Sequence, residues 1–327
     1  MGQRLEYRLE LPSLNSLARA AEIIHAVMGP TPQYTWPLLN ARVGAEVWVK
    51  HENHSPVGAF KIRGALVYMD WLVKEQQQVK TVIAATRGNH GQAVGFAAKR
   101  HGLKAVIIVP HGNSCEKNRA MRALGVELIE HGEDFQSSFE FAERLALEQG
   151  YHRVPSFHEL LVQGTGTYAL EFLRGAPELD TVYVPIGLGS SICGMLAARA
   201  ALNLKTRIVG AVAAASPSYA ISFREKKLVT HPAATRLGDG IACAVPDLDA
   251  LDLILKGVER IVEVSEDEIA AAMRAFFQDT HNVAEGAGAA ALAAVLQESQ
   301  ATRGSRVGVV LTGSNVDSDV FARVLRI

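Results

Sequence analysis

Thr181-Val-Tyr-Val-Pro-Ile186 runs straight into Gly187-Leu-Gly-Ser-Ser191, and the reading of this stretch decides the fold. Its first part is a short apolar run with no polar face, as in a strand buried on both sides in a parallel sheet. Its second part is a turn of mostly small residues. At a strand-to-helix turn, small residues let backbone amides and hydroxyls close on an anion. Working outward, β-rich apolar runs recur at 45–50, 80–85, 104–110, 126–131, 207–214, 260–265 and 306–312, and helical-period segments fill most of the gaps. This alternation predicts an α/β fold of open, twisted, mostly parallel sheets flanked by helices.

Length and composition set the frame. The chain has 327 residues, too many for one ordinary core and suited to two α/β lobes. Hydrophobic residues make up 48% and charged residues 20% of the chain, the profile of a globular protein. The formal net charge is −1, from 33 basic and 34 acidic residues. No single-sign field results, which argues against nucleic acid or an anionic membrane as partner. Cys115, Cys193 and Cys243 are odd in number and far apart, so they read as reduced thiols in a cytoplasmic protein. The segment Met1–Leu14 carries charges where a signal peptide needs an apolar core. No run approaches the roughly 18 apolar residues of a membrane span. Without repeats or a Gly/Ser linker, the lobes are expected to pack directly on each other.

In open parallel sheets, ligands sit at the carboxyl ends of strands, and there this sequence places its unusual residues. His51-Glu-Asn-His-Ser-Pro-Val-Gly-Ala-Phe-Lys61 follows the first run, and Thr86-Arg-Gly-Asn-His-Gly-Gln92 the second. Lys61 falls at a helix start. A helix N-terminus and partial burial both disfavour an ammonium, which suits a lysine to Schiff-base chemistry; the competing reading is a solvated lysine in a first turn. His51 and His54 are three apart rather than four and precede Ser55-Pro56, so a turn is a better reading than a zinc motif. A G-x-G-x-x-G dinucleotide motif would need glycine where Ile192 stands, and the strand at 207–214 ends without the acidic residue that binds a ribose. An NAD(P)-dependent oxidoreductase is therefore the weakest of the enzyme alternatives.

Four segments carry a resemblance. Ala59-Phe-Lys-Ile-Arg-Gly-Ala65 resembles the S-F-K-x-R-G-A motif of the fold-type II pyridoxal-phosphate (PLP) enzymes, in particular the threonine dehydratase and serine racemase family, with Ala59 in place of the serine. Thr86–Gln92 is similar to S-S-G-N-H-G-Q, Val184–Gly194 to the phosphate loop V-P-x-G-G-G-G, and Leu311–Asp317 to L-S-G-G-N-V-D. The segments occur in family order along nearly the whole chain. The resemblance implies a tryptophan synthase β-like fold, with a large domain of residues 1–48 and 152–327, a small domain of 49–151, and the active site in the cleft between them.

It also implies roles. Lys61 would bear the cofactor as a Schiff base and act as the catalytic base, with Phe60 packed on the pyridine ring. Gly187, Leu188, Gly189, Ser190 and Ser191 would hold the phosphate, with Leu188 and Ser190 replacing glycines. Asn89 would bond the phenolic oxygen and Thr312 the pyridine nitrogen. Gly240, within Gly238-Asp-Gly240, and Glu285 resemble cofactor-lining positions, although a structural turn and a solvated helix start compete there. Thr86, Gly88, Asn89 and His90 would bind the substrate carboxylate. No metal is expected, since Val212 stands where the family's cation-site glutamate would be.

The implied reaction converts a β-hydroxy amino acid, such as serine or threonine, to a 2-keto acid and ammonia. A racemase of the same fold is the main alternative. It would need a second base where this chain has Arg87, and a guanidinium does not deprotonate. Arg87 is instead read as a partner for a substrate carboxylate, as in a 3-hydroxyaspartate-type substrate. Ser156 and Phe157, after Pro155, are read as substrate-binding, and an inward Phe157 would favour phenylserine. The chain ends at Ile327, without room for the regulatory domain of biosynthetic threonine deaminases, so a catabolic type is expected. The family also suggests a homodimer.

Overall fold

The computed structural model of the protein describes residues 9–326. The first eight residues and Ile327, and with them most of the N-terminal stretch and both outer limits of the large-domain expectation, lie outside the described part. The strands are β1 Gln33–Thr35, β2 Glu46–His51, β3 Thr81–Ala85, β4 Lys104–Val109, β5 Glu127–Glu130, β6 His152–Arg153, β7 Thr181–Pro185, β8 Arg207–Ala213, β9 Arg260–Val264 and β10 Arg306–Leu311. They form a six-stranded sheet in the order β1-β2-β10-β7-β8-β9 and a four-stranded sheet in the order β5-β4-β3-β6. Every pairing is parallel except that of β1 with β2. The expected fold class is borne out.

The apolar runs are explained by burial on both faces. Along β7, Val182 and Val184 enter one core and Tyr183 the core on the opposite face. β8 divides in the same way, with Ile208 and Val212 on one side and Val209, Ala211 and Ala213 on the other. In the small sheet, Val82, Ala84, Ala105 and Ile107 oppose Ile83, Ala85, Val106 and Ile108. Each fully buried Val, Leu or Ile contributes about 1.5–3 kcal/mol relative to exposure, so register is fixed on both faces at once.

β1 and β6 were not expected. They span three and two residues, too short for any periodicity, and exist through pairing with β2 and β3. Sheet membership also differs from the expected domain limits. A division at 48/49 cuts through β2, and one at 151/152 assigns β6 to the large domain although it pairs in the small sheet.

Helix packing fixes the start of the helix Lys61–Glu75. It crosses the helix Glu159–Gly175 where Gly64 meets Leu161 and Gly164 meets Arg63 and Gly64. Arg63 itself is fully buried and grips two carboxylates: Nε donates to Glu52 Oε2 at 2.7 Å and Nη1 to Glu171 Oε1 at 2.7 Å. Lys50, equally buried, donates to Glu171 Oε2 at 2.7 Å.

Candidate active site

Two segments distant in sequence are joined by their backbones. The Phe60 N–H donates to the Thr312 carbonyl at 3.0 Å and the Ser314 N–H to the Gly58 carbonyl at 2.9 Å. Asn315 Nδ2 donates to the Val57 carbonyl at 2.9 Å. The Lys61 motif and the Thr312 motif therefore form one wall, at the carboxyl end of β10.

That wall bounds a cavity of about 400 Å³ whose lining comes from both sheets. Phe60, Lys61, Glu285 and Thr312 line it, as do Gly187, Leu188, Gly189, Ser190, Ser191 and Gly240. From the small lobe come Thr86, Arg87, Gly88, Asn89 and His90, and Ser156 completes the set. Burial pulls the Lys61 amine down to about 8, while the Glu285 carboxylate pulls the other way. Such an amine is partly neutral near neutral pH, as an imine-forming lysine must be.

Helix N-termini meet the cavity from both lobes. The helix Asn89–Arg100 is capped by Gly88 and the helix Ser190–Ala201 by Gly189, neither with a side-chain cap. Their first amides are thus free for anions. Gly187 and Gly189 keep the second terminus open: a Cβ would lie 2.7 Å from the Gly240 carbonyl in one case and from Ala250 Cβ in the other. Gly189 also has φ +105°, which disfavours any other residue. Tyr219 holds the loop by donating its hydroxyl to the Leu188 carbonyl at 2.9 Å, and the Ser191 and Tyr168 hydroxyls lie 2.7 Å apart. A phosphate at one terminus and a carboxylate at the other fit this pair.

The small-lobe motif divides its tasks. Thr86 turns its hydroxyl inward to accept the Gly88 N–H at 3.0 Å. Asn89 Nδ2 donates to Glu285 Oε1 at 2.5 Å while its Oδ1 accepts from Asn315 at 2.8 Å, which leaves one amide hydrogen for a ligand. His90 is buried, with Nε2 unpartnered among the described residues, and burial, with Lys61 nearby, pushes it down to about 3. It is a neutral imidazole in wait of a partner. Arg87 is exposed at the rim, neither hydrogen-bonded nor ion-paired among the described residues.

Phe157 does not line the cavity. It packs, half-buried, against the core around Val182 and Val184. Its neighbour Ser156 takes the lining position, and an aromatic ring gains more from core burial than from a polar cavity. The apolar reading of the substrate thus loses the residue it was built on.

Lys117 and Asp239 were missed as site residues. Lys117, from the helix Cys115–Ala123, lines the cavity while 7% exposed, and its Nζ stands 2.6 Å from Asp239 Oδ2 and 3.6 Å from Glu285 Oε2. Asp239 is the middle of Gly238-Asp-Gly240, so a signal for it lay in the sequence. Lys117 sits in a stretch of charged residues that reads as a solvated helix. Phe135, Ile241 and Val245 add an apolar side to the cavity. The two histidines of the His51–His54 turn are engaged elsewhere, with Trp36 at 3.1 Å and Asn282 at 2.8 Å, and Val212 is buried in β8.

A family model described as pyridoxal-phosphate dependent enzyme matches residues 24–313. The chain is 32% identical over 314 residues to an L-threonine ammonia-lyase of Thermotoga maritima, covering 96% of this chain and 78% of the relative. It is 30% identical over 319 residues to an L-threo-3-hydroxyaspartate ammonia-lyase of a Pseudomonas species, covering 97% and 100%. A solved structure of maize serine racemase is similar with a TM-score of 0.88 and 27% identity, covering 97% of this chain and 98% of that one.

Proposed function

The chain belongs to the family of pyridoxal-phosphate-dependent enzymes, and from that premise we propose that it is a dehydratase converting a β-hydroxy amino acid to a 2-keto acid and ammonia. The observation that carries this is the Lys61 amine, lowered to about 8, in a cavity reached by free helix N-termini from both lobes. The dinucleotide reading of Gly187–Gly189 is dropped with the family match.

When bound, pyridoxal phosphate supplies an aldehyde for an amine and an electron sink for the α-carbon. The loop Gly187–Ser191 would hold its phosphate, Asn89 its phenolic oxygen and Thr312 its ring nitrogen. Thr312 brings a neutral hydroxyl where a carboxylate would keep that nitrogen protonated, which favours elimination over transamination. The amides of Gly88 and Asn89 would orient the substrate carboxylate, and Lys61 Nζ would take the α-proton as general base. On sheet membership we assign residues 9–51 and 154–326 to the large lobe and 52–153 to the small one. The same proposal includes a cytoplasmic homodimer. Free Cys115, Cys193 and Cys243 support the compartment, and the exposed Tyr34 and Leu38 offer an apolar surface for a second copy.

For the substrate, Arg87 favours an acidic β-substituent, as in 3-hydroxyaspartate. The second reading, a phenylserine-type substrate, rests on Phe135, Ile241 and Val245 rather than on Phe157. Racemisation is disfavoured, since Arg87 cannot serve as a base on the opposite face. The test is a keto-acid assay over serine, threonine, 3-hydroxyaspartate and phenylserine, with spectra of wild type and Lys61→Ala. Visible absorbance that survives Lys61→Ala sinks the lysine assignment, and a preference for threonine over all others sinks the Arg87 reading.

A further inference from the structure

The cavity holds a charged cluster with no role in the reading above. Lys117 approaches from the small lobe and is fixed at each end. Its backbone N–H is capped by Ser114 Oγ at 3.1 Å, and Ser114 in turn donates to Asp317. Its stem fills the space beside Gly88, where a Cβ would lie 2.5 Å from Lys117 Cδ. The glycine before Asn89 is thus needed for the path of this lysine. Its ammonium then meets Asp239 and Glu285, both on the large lobe.

Glu285 is the anion that this arrangement serves. It is 2% exposed, and among the described residues its Oε2 has no hydrogen-bond partner, with Lys117 Nζ the cation 3.6 Å away. Its other oxygen accepts from Asn89. Burial pushes the Glu285 carboxyl up to about 7 against the pull of the Lys117 ammonium, so it is mostly ionised at the pH where Lys61 titrates. The titratable groups around it are Lys61 from the helix Lys61–Glu75, neutral His90 from the helix Asn89–Arg100, Lys117 and Asp239. Among them Glu285 is the anion whose field acts on Lys61.

We propose that Lys117 is a positioning residue: by clamping Glu285 against Asn89 from the opposite lobe it keeps that carboxylate charged and so sets how tightly Lys61 Nζ holds its proton. The proposal rests on Lys61 as the cofactor-bearing base. Its sign is diagnostic. A mere neighbouring cation would depress the affinity of Lys61 for a proton, so removing it would raise the Lys61 midpoint. A cation acting through Glu285 does the reverse, because its loss neutralises Glu285 and takes away the anion that favours the Lys61 ammonium.

The experiment uses the full chain freed of cofactor, with Lys61 labelled by an amine-selective reagent across a pH series and read by peptide mass spectrometry. Lys117→Met and Glu285→Gln are each expected to lower the Lys61 midpoint by about one pH unit, a roughly tenfold weaker hold on the proton. Lys117→Arg should keep the wild-type midpoint, and Lys117→Met added to Glu285→Gln should lower it no further. A midpoint that rises or stays put in Lys117→Met overturns the proposal. So does an unmoved midpoint in Glu285→Gln, which decides the matter even where Lys117→Met fails to fold. Cofactor found on another lysine of the untreated protein overturns the underlying assignment instead, so the two failures are separable.

Discussion

A Cβ placed on Gly164 would lie 2.5 Å from the Cα of Gly64, so the helices Lys61–Glu75 and Glu159–Gly175 touch backbone to backbone three residues after the lysine of the site. No side chain is there to yield. Gly164→Ala must push the helices apart or deform them, at the cost of about 1–3 kcal/mol typical of overpacking. The displacement is passed to Lys61. We expect a lower urea midpoint together with weakened cofactor binding. Gly29→Ala, where nothing lies within 4 Å of the added Cβ, should do neither. Equal effects in the two variants would remove the close contact as the cause.

Two residues beyond Lys61, Arg63 is held by Glu52 and Glu171 without contact with water. Arg63→Met leaves the fully buried Glu52 without its cation and Glu171 with Lys50 alone among its buried ones. Breaking a buried pair from one side costs about 3–5 kcal/mol, so this variant should be among the least stable at neutral pH. Glu171 adds a pH signature. The Arg63 guanidinium, with Lys50 and His25, outweighs burial and holds its carboxyl down to about 2, from an ordinary 4.5. The folded pKa lies below the unfolded one, so the stabilisation is complete above about pH 4.5 and drains away as pH falls toward 2. Urea titrations at pH 7 and pH 3 should show the gap between wild type and Glu171→Gln shrinking. A gap that is constant with pH would contradict the ion pair.

The buried strands were legible because both faces of β7, β8 and β10 are apolar, and no exposed element imitates that pattern. β1 and β6 were not, because a pairing of two or three residues is decided by its neighbour. The motif residues of the cavity were legible where the chemistry is local, as at a helix start or a strand-to-helix turn. Lys117 was not, since its meaning depends on Asp239 and Glu285, which only the folded topology brings to it. Phe157 was misplaced for a similar reason: counting residues from Pro155 cannot say which of two neighbours faces the cavity and which the core.

At Lys61 the charged form costs stability instead of adding to it, although stability again rises with pH. Burial lowers its folded value to about 8 from 10.5. Below pH 8 both states are protonated and the folded one bears the full cost of a buried ammonium. Between about 8 and 10.5 the unfolded chain keeps a proton that the folded chain has lost, so stability rises with pH there. In the cofactor-free protein, Lys61→Met should therefore be more stable than wild type at pH 7, with the advantage fading by pH 10.5. Denaturant midpoints at both values measure it, and a variant less stable at pH 7 would show that the amine is solvated.

Arg87 offers the sharpest test of the substrate. Its guanidinium stands at the cavity rim with no protein partner among the described residues, and Asp134, which also lines the cavity, lies near enough to feel its charge. A second substrate carboxylate there would gain a charge-assisted hydrogen bond, worth about 1.5–3 kcal/mol. Arg87→Gln should then lower kcat/KM for 3-hydroxyaspartate about 10- to 150-fold and leave serine nearly untouched, because serine has nothing to offer the lost cation. Arg87→Ser removes the same cation but introduces a hydroxyl at the position from which the family's racemising members draw their second base. It should lose the acidic substrate to the same degree and gain slow interconversion of D- and L-serine. If both variants instead lose serine and 3-hydroxyaspartate activity in equal measure, Arg87 serves the common α-carboxylate, and the preference for an acidic side chain falls with it.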